Sequence, residues 1–249
     1  MESALAATEP TLEDLYYLGR AVAANILAVY RPYTESPELT RYLNLICRAI
    51  LINNPEIELF DGCYVQILDS PELNAFASPG GHILITRGLV EAAASEDMLA
   101  AIIAHELAHI KLKHGMAIIN QMQFTFESTR IVNRAYEFSN RNSPATQRLL
   151  NLRESVATLT DAMLKNGYSQ AQEFEADREA VTLMAATGYD PEALLAVFKV
   201  LHETQNPDGT GLNATHPSAL ERVIYVDRWL REYDVEDTRR YRAARFINR

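Results

Sequence analysis

The chain has 249 residues, a formal net charge of -10, 48% hydrophobic residues and 22% charged residues. That length suits one large domain or two small ones, and the acidic balance excludes nucleic acid as a main partner, because phosphate binding requires a basic surface. No apolar run reaches the ~18 residues of a membrane-spanning helix, and Met1 to Pro10 has neither the basic start nor the apolar stretch of a signal peptide. The sequence as given therefore reads as having no transmembrane segment and no address.

Residues 11–30 and 37–53 carry the apolar spacing of two amphipathic helices, parted by a turn around Arg31-Pro32 and Ser36-Pro37. Cys47 falls on the apolar stripe of the second with Leu43, Ile46 and Ile50, which predicts a buried thiol. A disulfide with Cys63 is the alternative in an oxidising compartment. Three short strands follow, Tyr64 to Leu68, Leu73 to Ala77 and His82 to Thr86, with Pro79-Gly80-Gly81 as a tight turn between the last two. Arg87 to Ala94 starts a short helix. A longer one begins at Ser95-Glu96-Asp97, with a hydroxyl cap and acids in the first turn. Its apolar face is Met98, Leu99, Ile102, Ile103, Leu107 and Ile110, and Gly115 is the expected stop.

Residues 116–138 continue as helix, and the polar run Ser139-Asn140-Arg141-Asn142-Ser143-Pro144 predicts a mobile loop over 139–148. Residues 149–166 read as a weaker helix and 168–187 as a strong one ending at Gly188. Asp190-Pro191 restarts a helix, Gln205 to Thr215 is a loop, and a last helix runs from Pro217 to about Tyr233. Arg239, Arg240, Arg242, Arg245 and Arg249 read as a solvated helical end. With no repeat and no linker, the organisation expected is a single domain over 1–249: N-terminal helices in 1–58, a core in 59–233 and a tail in 234–249. The fold class is α+β, mainly helical, with a small β-sheet beside the helix that starts at Ser95.

That helix carries the chemistry. Residues 105–109 read His105-Glu106-Leu107-Ala108-His109, so two imidazoles one turn apart share a face and can share one metal ion. Glu106 lies close enough to handle the proton of a water at that metal. This is the H-E-x-x-H arrangement of zinc hydrolases. Two histidines on so apolar a helix need polar partners, and a cation satisfies both.

A catalytic zinc usually has three protein ligands. A third histidine six residues after the second is absent, since that position is Gly115. His114 lies five residues after His109, an offset that points it away from the pair and makes it a helix C-terminal cation. A carboxylate on another helix remains. In Gln172-Glu173-Phe174-Glu175-Ala176-Asp177-Arg178, Glu173, Asp177 and Ala180 share one face, and Ala176 keeps that face small. Glu173 can then reach the metal while Asp177 accepts a hydrogen bond from a ligand imidazole. Glu175 points to the other side.

Three separated blocks resemble the HtpX, BepA and CAAX-prenyl-protease group of zinc metallopeptidases, most closely its small soluble BepA-like members. They are Asn74-Ala75-Phe76-Ala77-Ser78-Pro79-Gly80-Gly81-His82-Ile83, the H-E-x-x-H itself, and Glu173-Phe174-Glu175-Ala176-Asp177, similar to the family's E-x-x-A-D. The resemblance implies a zincin-type metallopeptidase domain of the gluzincin class, an endopeptidase holding one Zn2+ per chain on His105, His109 and Glu173, with Asp177 behind the ligands. It also draws in Thr215-His216-Pro217 and Arg222: His216 either stabilises the oxyanion or fills a fourth metal position, and Arg222 donates to substrate or intermediate. A polypeptide substrate, partly unfolded or misassembled, is expected to add as a strand along Asn74, Ala75, Phe76 and Ala77. A periplasmic or otherwise exported location follows by analogy with the family alone, and the cytoplasm stays open. A zinc-containing binding or chaperone-like protein with little proteolysis is the rival reading, and a zinc hydrolase of non-peptide substrates is a third.

Overall fold

Alternation along three short strands divides the interior into two layers. The computed structural model of the protein describes residues 10–120, 144–204, 219–233 and 239–247. Strands β1 (Tyr64–Leu68), β2 (Ala75–Ser78) and β3 (His82–Thr86) form one sheet in the order β1-β3-β2, with β1 parallel and β2 antiparallel to β3. Successive side chains leave opposite faces of a strand. Val65, Ile67, Ala75, Ile83 and Ile85 accordingly enter the larger core, with helix α2 (Pro37–Asn53) and helix α4 (Glu96–Lys111). Phe76 and Leu84 face the other way, onto Leu18, Val22 and Ile26 of helix α1 (Leu12–Val29). The second strand starts two residues later than the sequence predicts, at Ala75, and ends one later, at Ser78, because the Asn74 N–H goes to the Thr86 hydroxyl at 2.9 Å and not to the backbone of β3.

The hairpin between β2 and β3 is held against α1. Gly80 and Gly81 have φ of 72° and 102°, the left-handed region that favours glycine. A methyl group on Gly80 would stand 2.4 Å from the Tyr16 Cα, so the turn can seat on α1 only without a side chain there. Helix α3 (Arg87–Ala92) then leads into α4.

Helix α5 (Pro144–Asp161) runs on into a π-helical turn, Ala162–Asn166. The loop expected over 139–148 therefore has helix in its last five positions. Pro144 opens that helix, where a missing N–H costs nothing, and 139–143 lie outside the described residues. Helix α6 (Gln170–Thr187) starts at a Ser169–Gln172 capping box and stops at Gly188, whose φ is 80°. Helix α7 (Ala193–Glu203) begins after a turn in which Asp190 accepts from the Glu192 N–H at 3.0 Å, two residues later than Asp190-Pro191 suggests. Helices α8 (Ala219–Leu230) and α9 (Arg239–Ile247) complete the described chain. Residues 114–120 are helical, whereas the remainder of the expected 116–138 helix and the expected 205–215 loop fall outside the described residues.

Two expectations for the periphery resolve differently. Cys47 and Cys63 are free thiols, so the buried-thiol reading of Cys47 holds over the disulfide. The arginine-rich end is helical, with Arg239, Arg240 and Arg245 exposed as expected and Arg249 outside the described residues, but it is not solvated throughout. Arg242, only 6% exposed, donates to Asp97 at 3.0 Å and to the Gly188 carbonyl at 2.9 Å, and Arg245 donates to Glu96. Helix α9 thus clamps the start of α4. Among the described residues, no helix is long and apolar enough to cross a membrane.

Candidate metal centre

Every residue of α4 from Glu96 to His109 is buried, so the histidine pair lies inside the protein. The helix starts at Ser95, whose hydroxyl accepts from the Met98 N–H. Its two buried acids are satisfied: Glu96 accepts from Tyr42, Tyr189 and Arg245, and Asp97 from Arg242 and the Asp190 N–H. Small residues on both sides let α6 approach closely. Ala101, Ala104 and Ala108 on α4 and Ala176 and Ala180 on α6 are all fully buried. Helix α4 consequently packs against α6 more than against any other element.

That approach brings Glu173, which is 0% exposed, to the imidazoles. His105 Nε2 and His109 Nε2 are 3.0 Å apart, Glu173 Oε2 is 3.4 Å from His105 Nε2, and Glu173 Oε1 is 3.4 Å from His109 Nε2. Tetrahedral zinc with Zn–N and Zn–O bonds near 2.1 Å sets its donor atoms roughly 3.4 Å apart. The donor set and its spacing fit a zinc ion, and among the described residues this is the one cluster of its kind. Burial opposes a positive charge on His105, but hydrogen bonds to Asp177 and Glu173 outweigh it and raise its pKa to about 9. The surroundings thus favour positive charge at this point, which is what a cation supplies.

Each imidazole is oriented from behind. Asp177 Oδ1 lies 3.0 Å from His105 Nδ1, so the Nδ1–H donates and Nε2 keeps its lone pair for a metal. Asp177 is in turn gripped by Arg222, whose Nε donates to Oδ2 at 2.8 Å while Nη2 donates to Oδ1. Burial would raise the Asp177 pKa, yet the Arg222 charge and the hydrogen bonds from Arg222 and His105 hold it below its ordinary value. The Arg222 guanidinium lies 4.4 Å over the Phe198 ring and 3.3 Å from Glu173 Oε2, and it is 2% exposed. Arg222 thus grips Asp177 and also stands 3.5 Å from His105 Nε2, beside the candidate donor atoms.

His109 is oriented by His114, which the five-residue offset predicts to point away. His114 Nδ1 lies 2.8 Å from His109 Nδ1, and its Nε2 lies 3.2 Å from Glu175 Oε2. The expectation that His114 points away assumed a continuous helix. The helix instead breaks at Leu112, and Lys113 takes a φ of 55°. His114 opens a new helical turn and swings back beneath His109. Gly115 is accordingly not the stop; it lies inside the following helical turn, where a methyl would meet Pro79 and Leu159 at 3.3 and 3.4 Å. Nor is His114 a helix-end cation. It is 3% exposed, and burial lowers its pKa. Glu175, expected on the opposite face, supplies the mostly exposed end of this chain of contacts.

Tyr168 is a second residue missed in the sequence. Its ring stacks on His109 with centroids 4.0 Å apart, and its hydroxyl donates to the Ala77 carbonyl at 3.2 Å. Burial, then the charges of Glu106 and Glu173, push its phenol far above the usual range. No motif marks it; the one signal is its place just ahead of the Ser169 cap of the helix that bears Glu173.

Glu106 is 3% exposed and adjoins His105 on α4. Asn74, Ala75, Phe76 and Ala77 are all buried, at 2–4% exposure, so the strand edge is covered in this structure. A cavity of about 150 Å3 lies beside His109, lined by Ala77, Pro79, Met116 and Tyr168. His216 lies outside the described residues.

Comparison with known proteins agrees with this geometry. The chain is 28% identical over 174 residues to the mitochondrial metalloendopeptidase OMA1 of Schizosaccharomyces pombe, a match covering 69% of this chain and 48% of that protein. It is 25% identical over 216 residues to the beta-barrel assembly-enhancing protease of Escherichia coli O157:H7, covering 77% of this chain and 39% of that one. The chain thus spans less than half the length of these relatives. The profile of peptidase family M48 matches residues 42–230, a stretch running from α2 through the histidine pair and Glu173 to the end of α8, and the chain belongs to that family.

Proposed function

We propose that the chain is a zinc-dependent metalloendopeptidase that hydrolyses peptide bonds in unfolded or misassembled polypeptides. The observation that carries this is the trio of buried donors on His105, His109 and Glu173, spaced 3.0–3.4 Å apart, with buried Glu106 next to His105 on the same helix. Zinc held there supplies Lewis acidity and brings the pKa of water down to about 7. Glu106 takes the proton of the attacking water and returns it to the leaving amine. Asp177 and His114 keep the two imidazoles in the tautomer that presents Nε2. Arg222 neutralises Asp177 and so acts as a positioning residue. Substrate backbone pairs with the outer edge of β2 at Ala75 and Ala77, which tolerates many side chains, and His216 either stabilises the oxyanion or fills a fourth metal position.

The test compares wild type with Glu106→Gln on unfolded casein, with zinc measured in both. Cleavage by wild type alone, with about one zinc per chain in each protein, is the expected result. Zinc in both and cleavage by neither would sink the peptidase reading in favour of a zinc-containing binding protein.

A further inference from the structure

Tyr168 joins the metal centre to the strand on which substrate is proposed to add, and the register of that strand shows what its hydroxyl occupies. In an antiparallel pair, residues alternate between positions bonded to the partner and positions whose N–H and C=O turn outward. The Thr86 N–H donates to the Asn74 carbonyl at 3.0 Å, which makes Asn74 and Thr86 a bonded pair. Counting along the register, Phe76 opposite Leu84 and Ser78 opposite His82 are bonded too. Ala75 and Ala77 therefore direct their backbone groups away from β3, to the open side of the sheet. An added strand has to use those groups. The Ala75 N–H is met by Asn74 Oδ1 at 2.9 Å, and the Ala77 C=O by the Tyr168 hydroxyl at 3.2 Å. Tyr168 follows Gly167, whose φ of 65° and ψ of -166° suit glycine alone. The chain is thus bent to bring this ring flat onto His109 and its hydroxyl onto the strand.

We propose that Tyr168 is a built-in competitor for polypeptide: its hydroxyl holds the Ala77 carbonyl that a substrate N–H has to take, and it is displaced when a chain adds to β2. This rests on strand addition in the peptidase reading and goes beyond it, because it makes the resting site self-occluded. Ala77, whose carbonyl the hydroxyl holds, is 2% exposed. A folded polypeptide, whose N–H groups are already paired, has little to gain by evicting the hydroxyl. An extended chain gains a ladder of bonds for the one it displaces. The competitor therefore selects for unfolded segments.

The test is binding of fluorescently labelled, unfolded β-casein to two zinc-loaded proteins, Glu106→Gln and Glu106→Gln/Tyr168→Phe, so that no cleavage intervenes. Phenylalanine keeps the ring on His109 and removes only the donor. Losing one competing hydrogen bond of ordinary strength is expected to tighten casein binding about fivefold. Structural damage weakens binding, and only relief of competition tightens it. Equal binding, weaker binding by the double variant, or no binding by either protein overturns the proposal. If wild type holds zinc and cuts no casein while the fivefold difference persists, the peptidase reading fails and the competitor stands. If wild type cuts casein and the two variants bind alike, the competitor fails alone.

Discussion

His114 Nδ1 sits 2.8 Å from His109 Nδ1, and this contact decides which nitrogen of His109 faces Glu173. A carboxylate only accepts, so Glu175 requires a proton on His114 Nε2. Neutral His114 is then an acceptor at Nδ1, His109 donates its Nδ1–H, and His109 Nε2 is left with its lone pair towards Glu173. Removing the acceptor frees the ring to rotate and to take the other tautomer. His114→Ala is expected to weaken zinc about 10–100-fold, read by competition against a fluorescent zinc chelator. Glu175→Gln keeps a hydrogen-bond acceptor at a mostly exposed position and is expected to cost less than tenfold. Equal affinities in wild type and His114→Ala would remove this residue from the site.

Arg222 and Asp177 are both almost fully buried, so neither tolerates loss of the other. Arg222→Met leaves a carboxylate in the core without its cation, and the metal-free protein is expected to lose on the order of 3–5 kcal/mol in urea denaturation. Replacing both, in Asp177→Leu/Arg222→Met, removes the Asp177 charge and leaves Glu173 to His105 and His109, so stability is expected to recover part of that loss. Zinc affinity is expected to stay low in the double variant, because nothing then accepts from His105 Nδ1. Zinc affinity that recovered along with stability would show that the pair acts on folding alone.

The parts legible in the sequence are those written in local pattern. Strands β1 and β3 and helix α2 lie where alternation and helical spacing predict them, and His105 and His109 are visible because their partnership is four residues long. Glu173 lies much further along the chain, yet Ala176 and Ala180 announce a helix face built for close approach. His114 had no such signal. Its position depends on a left-handed lysine, Lys113, whose sequence context carries no glycine at that residue. Tyr168 acts through a stack and one hydrogen bond to a strand 91 residues away. The partnerships of Arg242 with Asp97 and Arg245 with Glu96 span 145 and 149 residues and leave no periodic trace. Charge in a short arginine-rich segment reads as surface until the acids that receive it are known.

That clamp makes stability depend on pH through Glu96. Burial alone would raise its pKa, but hydrogen bonds from Arg245, Tyr42 and Tyr189 outweigh burial and hold it below the ordinary value of 4.5. A carboxyl whose folded pKa lies below its unfolded one stabilises the fold above the unfolded value, and that contribution fades as pH falls through the folded value. Wild type is therefore expected to lose melting temperature as pH drops below about 4.5 through the Glu96 contribution. In Arg245→Ala the strongest lowering influence is gone while burial remains. That variant is expected to melt lower than wild type at pH 7 and to close part of the gap by pH 3.5. Thermal melts of both proteins at several pH values read this directly. A gap of constant size from pH 7 to pH 3.5 would mean that Arg245 holds α9 in place without acting through the charge on Glu96.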